Sequence, residues 1–237
     1  MNRKLCRVIS ILLILALLLP VAAMATQEVP DMEDVSRTDW FYPYVTHSFH
    51  FGLTVGTSAD AFRFEPNRPV TRAEFVTMLG RLHEYDENNT IAIPPDGTFY
   101  GRYLAWAAGH GLILGDGYGD LMPHALITRE QMAVIVYRYI LMCDEMREMF
   151  ENTWGIFPPR FADINEVSPW ATGAVFGLNS FALLQGTNWS EGMKFQILFL
   201  PQDNATRAEV LAILVRVGSR VHDYYWGGWE DWWNENR

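Results

Sequence analysis

Apolar residues recur at i, i+3, i+4 and i+7 in three stretches of this chain: Phe75, Met78, Leu79 and Leu82; Met132, Ile135, Val136 and Tyr139; Val210, Ile213, Leu214 and Val217. Each set makes one stripe along a helix. The same five-residue motif opens all three: Val70-Thr71-Arg72-Ala73-Glu74, Ile127-Thr128-Arg129-Glu130-Gln131 and Ala205-Thr206-Arg207-Ala208-Glu209. The Thr is an N-cap, and the Glu or Gln three residues on completes a capping box, so two backbone donors are satisfied reciprocally. The apolar residue ahead of each cap (Val70, Ile127, Ala205) staples onto the one behind the box (Phe75, Met132, Val210). Arg81, Arg138 and Arg216 close the three helices, where a cation suits the negative end of the helix dipole.

Upstream of each box a second pattern repeats. Copy one runs through Asp34 and Trp40 to Gly52-Leu53-Thr54-Val55-Gly56, and copy three through Asp163 and Trp170 to Ala182-Leu183-Leu184-Gln185-Gly186. Trp40 to Gly56 and Trp170 to Gly186 both span sixteen residues, and counting sixteen back from Gly115 in copy two reaches Phe99. Trp40, Phe41, Tyr44, Val45 and Phe49 predict the inner face of a first helix, capped by Ser36, Thr38 or Asp39 and ended by Gly52. Copy two has its first helix near Tyr100 to Gly109. The segment from Gly115 to Asp120 is a turn; it lacks the spaced acids of a calcium loop. In copy three, Trp189 to Leu200 is an insertion able to form a short hairpin or lid.

The expected fold is therefore mainly α: three tandem helix-loop-helix repeats joined by short loops or hairpins. The repeats are read as 31–83, 95–140 and 160–218, with a linker at 141–159 and an aromatic-rich tail at 219–237.

Arg72, Arg129 and Arg207 all stand at the first helical position, where a cation is disfavoured by about 0.3–1 kcal/mol. Helix N–H groups beside a guanidinium make a site for a carboxylate or phosphate. The alternative is that each Arg pairs internally and sets the packing of neighbouring repeats.

Residues 1–25 read as a secretory signal peptide: Arg3, Lys4 and Arg7, an apolar run from Ile11 to Leu19, and Ala23-Met24-Ala25 for cleavage. Its removal takes three positive charges from a net of −10 and leaves −13. So acidic a chain argues against nucleic acid as partner. Only Cys143 remains after the leader, so no disulfide can form within the chain. The six His show no zinc spacing, no metal set is expected, and neither a nucleophile elbow nor a phosphate loop is present. No catalytic residue or cofactor is expected, and the chain is not read as an enzyme.

The order of motif Asp, helix-opening aromatic, paired glycines and T-R-A-E box resembles the S-layer homology (SLH) domain family. Three boxes in register with the upstream aromatics and glycines carry the resemblance. It implies a pseudo-threefold arrangement of the repeats with grooves between neighbours. It also implies non-covalent attachment of exported proteins to the cell envelope, at the cell wall or S-layer. The implied partner is a secondary cell-wall polysaccharide, often bearing pyruvate ketals, or a peptidoglycan-linked polymer. Carried over by position, the implied ligand-binding residues are Asp34, Trp40, Gly56 and Arg72; Gly115 and Arg129; and Asp163, Trp170, Gly186 and Arg207. Copy two departs from the pattern, with Phe99 for Trp, Gln131 for Glu and Asp96 as the nearest acid to the motif Asp.

A sugar acid suits those residue types: an anion for Arg, hydroxyls for Asp, and an apolar ring face for Trp. The competing reading is a structural or protein-interaction repeat of the cell surface. There the box Arg residues are internal ties, and the tail (Tyr224, Tyr225, Trp226, Trp229, Trp232 and Trp233) recruits another surface protein. The tail can equally fold back over repeat one.

Overall fold

The computed structural model describes residues 32–50, 52–54, 63–85, 89–93, 97–143, 147–148, 161–191 and 194–226. Helices α1 (Tyr42–His50) and α2 (Arg72–Tyr85) form repeat one, and α3 (Gly101–Gly109) and α4 (Arg129–Met142) form repeat two. Repeat three holds α5 (Thr172–Ser180), the strands β1 (Thr187–Glu191) and β2 (Lys194–Leu198), and α6 (Arg207–Trp226). The fold is mainly helical, as the periodicity predicts. The inserted segment of repeat three is an antiparallel hairpin, registered from Thr187 opposite Leu198 to Glu191 opposite Lys194. The leader, Gly56, Asp96 and Trp229 to Trp233 lie outside the described residues.

All twelve stripe residues are buried, none more than 6% exposed. The box helices are buried beyond the stripe as well: Ala73, Val76 and Thr77 on α2, and Ala133, Val134 and Ile140 on α4. They are enclosed because each box helix packs against the first helix of the following repeat: α2 on α3, α4 on α5, and α6 back on α1. At roughly 1.5–3 kcal/mol per large apolar side chain removed from water, the twelve stripe residues are a main source of cohesion.

The stapling residues meet at the centre. The amide of Val70 donates to the carbonyl of Ala205 (3.0 Å), that of Ala205 to Ile127 (2.9 Å), and that of Ile127 to Val70 (3.0 Å). All three residues are fully buried. Three isolated bridges flank this ring, pairing Pro69 with Thr206, Thr71 with Leu126 and Thr128 with Asn204. The three repeats are thus related by a pseudo-threefold axis through this ring of hydrogen bonds.

Three local expectations need correction. Trp40 does not line the inner face: it is 58% exposed, while Phe41, Val45 and Phe49 are buried. The reason is that α1 begins at Tyr42, so Trp40 sits in the preceding turn, whose Asp39 carbonyl accepts from the Tyr42 amide at 3.0 Å. Ser36, Thr38 and Asp39 therefore stand too early to occupy the cap position. Finally, Arg216 does not close its helix, because α6 continues to Trp226.

The first helix of every repeat ends in a left-handed residue: Gly52 (φ +63°), Gly111 (φ +67°) and, in repeat three, Ala182 (φ +56°). The next amide then reaches back, Leu53 to Ser48, Leu112 to Ala107 and Leu183 to Leu178, which satisfies a terminal carbonyl.

Candidate functional site

Every box forms as the sequence predicts. Thr128 and Gln131 bond reciprocally through side chain and backbone. Thr71 and Glu74 do the same, as do Thr206 and Glu209. The amides just after each cap are occupied by the following repeat. Arg72 and Ala73 donate to the carbonyls of Ala125 and Pro123, Arg129 and Glu130 to those of Asp203 and Pro201, and Arg207 and Ala208 to those of Arg68 and Pro66. The N–H groups that a helix start offers to an anion are therefore engaged within the protein.

The residue before each of these prolines is left-handed: Glu65 (φ +58°), Met122 (φ +51°) and Leu200 (φ +56°). Such a conformation costs a non-glycine residue about 1–3 kcal/mol and persists only where its surroundings enforce it. Here it turns the proline carbonyl toward the neighbouring helix. The motif Asp enforces the turn. Asp34 accepts from the amides of Phe64 (2.8 Å) and Glu65 (2.7 Å), and Asp163 from those of Phe199 (2.8 Å) and Leu200 (2.7 Å). Repeat two lacks that Asp, and Asp120 accepts the Met122 amide at 2.7 Å from within the loop itself.

The box Arg residues follow the same cyclic order, and all are buried, at 6%, 4% and 6% exposure for Arg72, Arg129 and Arg207. Arg72 donates to the carbonyls of Leu121 (3.0 Å) and Leu114 (3.1 Å). Arg129 donates to those of Phe199 (2.6 Å) and Gln185 (3.4 Å) and pairs with the Glu209 carboxylate. Arg207 donates to the Phe64 carbonyl (2.8 Å) and the Thr54 hydroxyl (3.1 Å), with its guanidinium over the Phe64 ring. Burial lowers the pKa of Arg72; for Arg207 burial comes first, and the nearby Arg68 charge adds to it. Arg81, Arg138 and Arg216 each give Nη1 to a Leu carbonyl of their own repeat, of Leu53, Leu112 and Leu183, and Arg216 also reaches the Tyr44 hydroxyl of repeat one.

The helix-opening aromatics stand apart from these ties. Trp40, Phe99 and Trp170 are 58%, 60% and 58% exposed, so Phe99 is the counterpart of the two tryptophans. Gly115 has a packing reason to be glycine, since a Cβ there would lie 2.4 Å from the Asp120 carbonyl oxygen. At Gly186 a Cβ would lie 2.5 Å from the Leu198 carbonyl oxygen.

A groove of about 530 Å³ crosses all three repeats. Its lining includes Trp40 from repeat one, Arg129 from repeat two, and Gln185, Gly186, Glu209 and Arg216 from repeat three. Of the sequence-derived site residues it gathers Trp40, Arg129 and Gly186, one from each repeat, rather than four from one repeat. The volume lies within the usual range for small-ligand pockets.

Sequence reasoning missed Arg216 and Gln185 at this groove, and also Glu130. Glu130 is 3% exposed and accepts from the Ser168 amide (2.9 Å) and hydroxyl (2.8 Å), tying repeat two to repeat three. The signal was available: Glu130 replaces an Ala found in the other two boxes. Among the described residues no cluster of His, Cys, Asp and Glu could hold a metal ion, and no helix is long and apolar enough to cross a membrane.

The family model of the S-layer homology domain matches residues 31–76, 93–133 and 160–211. The chain is 29% identical over 236 residues to an endoglucanase of Bacillus sp. (strain KSM-635), covering 94% of this chain and 23% of that protein. It is 32% identical over 155 residues to an amylopullulanase of Thermoanaerobacterium thermosulfurigenes, covering 64% of this chain and 8% of that protein. To the surface-layer 125 kDa protein of Lysinibacillus sphaericus it is 30% identical over 122 residues, covering 46% and 10%. The chain thus spans less than a quarter of the length of each of these relatives.

Proposed function

This chain belongs to the S-layer homology domain family, a cell-surface anchoring module, and on that premise we propose that it anchors to the envelope by binding an anionic, pyruvate-bearing wall polysaccharide in its inter-repeat grooves. The observation that carries the reading is the groove that joins exposed Trp40 to Arg129, Gly186 and Arg216 across three repeats. An aromatic face takes the apolar side of a sugar ring, and guanidinium groups take its acid. Two Arg against one Glu at the lining make the groove locally cationic in a chain of net charge −10. Screening over about 8–10 Å keeps the distant acids from cancelling that attraction.

By the pseudo-threefold relation, the equivalent groove positions are Trp170 with Arg72 and Gly115, and Phe99 with Arg207; Gly56 holds the matching position in the sequence. Asp34 and Asp163 serve the ligand indirectly, by shaping the loops that border the grooves.

A second reading has its own support in the burial of Arg72, Arg129 and Arg207 among backbone carbonyls. It makes those three residues internal ties of a protein-interaction module, with the aromatic-rich tail, read from the sequence as 219–237, as its partner site. The test is a pull-down with purified cell-wall sacculi, with and without their secondary polymer, using wild type and Trp40→Ala. Polymer-dependent binding that weakens in Trp40→Ala supports anchoring through the groove. A folded wild-type chain that leaves the sacculi unbound supports the interaction reading instead.

A further inference from the structure

We infer that the groove receives its ligand's carboxylate on Arg216, and that Arg129, the box arginine of the same groove, is a positioning residue. The inference rests on the polysaccharide-binding reading above and names the contact within it.

Arg129 and Arg216 line the same groove but differ in what already holds them. The Arg129 side chain is 4% exposed and its charge is compensated by Glu209. A ligand carboxylate brought to it would face Glu209 as well, and like charges at that range repel. Arg216 is half-buried and is held by neutral acceptors alone among the described residues. Its Nε and Nη2 donate to the Tyr44 hydroxyl (3.2 and 2.9 Å), Nη1 to the Leu183 carbonyl (3.3 Å), and Nη2 also to the Gln185 side-chain oxygen (2.9 Å). The guanidinium lies 4.7 Å from the centre of the Tyr44 ring. No described carboxylate forms an ion pair with it.

A guanidinium has five N–H donors in a fixed fork. The four bonds leave one Nη1 hydrogen, and the bond to Gln185 is solvent-exposed. A carboxylate that takes the free Nη1 hydrogen and displaces the Gln185 oxygen from Nη2 gains two parallel charge-assisted bonds. Tyr44 and Leu183 stay in place and keep the fork aimed. Trp40 lines the same groove and offers a face for the sugar ring.

The experiment measures binding of two methyl hexosides by titration calorimetry. One carries a 4,6-pyruvate ketal, and the other an uncharged 4,6-ethylidene ketal of the same shape. The readout is the ratio of their affinities, which isolates the carboxylate from the ring. In wild type the charged sugar is expected to bind at least about tenfold more tightly, as two charge-assisted bonds imply. Arg216→Gln should bring the ratio close to one, and Arg216→Lys should restore part of it. Gln185→Ala removes the competing acceptor and should raise the ratio severalfold, which keeps the test decisive if Arg216→Gln does not fold. A ratio unchanged in folded Arg216→Gln or Arg216→Lys, or unmoved by Gln185→Ala, overturns the assignment. A wild type that binds polymer-bearing sacculi but does not prefer the charged sugar overturns it as well. A wild type that leaves those sacculi unbound overturns the polysaccharide reading itself.

Discussion

The Nε of Arg207 donates to the carbonyl oxygen of Phe64 at 2.8 Å, across 143 residues of chain. This bond is the third of an equivalent set, after Arg72 to Leu121 and Arg129 to Phe199, and it brings repeat three back to repeat one. Removing the side chain leaves the Phe64 carbonyl and the Thr54 hydroxyl unpaired in a buried position, each at about 1–3 kcal/mol. Arg207→Ala is therefore expected to lower the unfolding free energy by about 2–4 kcal/mol, measured by urea titration. A loss below about 0.5 kcal/mol, the ordinary range of surface substitutions, would refute the tie.

Trp40 gives the opposite pattern. It is 58% exposed and borders the groove. Trp40→Ala should leave urea stability within about 0.5 kcal/mol and weaken binding to polymer-bearing sacculi roughly tenfold. A large stability loss would place Trp40 in the fold rather than at the ligand.

Ala182 holds the left-handed position that Gly52 and Gly111 occupy in the other repeats. An L side chain there costs about 1–2 kcal/mol, against roughly 0.5–1 kcal/mol of chain entropy for glycine. Ala182→Gly should thus stabilise the protein by about 0.5–1 kcal/mol, seen as a melting point raised by about 1–4 °C. Gly52→Ala and Gly111→Ala should lower it by a similar amount.

Glu74 governs part of the acid response. Burial opposes its ionisation, but bonds from Arg68 and from the Thr71 amide and hydroxyl outweigh burial and hold its pKa below the ordinary value. A carboxyl with a depressed folded-state pKa binds fewer protons when folded than when unfolded. Its contribution is therefore full above the ordinary carboxylate range and fades as pH falls through the folded value. Glu74→Gln should flatten the acid limb of a stability-versus-pH curve recorded between about pH 6 and 2. An acid limb of unchanged slope would assign the effect to other groups.

The box helices were legible in the sequence because side chains alone specify them: a Thr cap, a Glu or Gln to close it, and a stripe with period 3.6. Gly52 was legible as a helix end from its residue type, while Gly111, its counterpart in repeat two, was not singled out. The destination of Arg72, Arg129 and Arg207 was not, since most of their partners are backbone carbonyls of another repeat, which no residue type marks. Asp34 and Asp163 read as ligand groups from motif position, yet their four bonds are to backbone amides. Trp40 was misplaced because the apolar pattern of α1 runs back past Tyr42, where the helix begins. Arg216 went unnoticed at the groove because its position predicts a helix-end cation, and α6 runs on for ten more residues.

The cyclic order of the ties also has a consequence in time. The groove takes Trp40 from the first repeat and Arg216 from the last. A ribosome delivers the chain from its N-terminus, so this groove is not finished until residue 216 has been made. Repeats one and two cannot complete it earlier, because the box amides of repeat two and the carbonyls of repeat one find their partners in repeat three. This groove thus arises in one step, when repeat three arrives, rather than accumulating repeat by repeat.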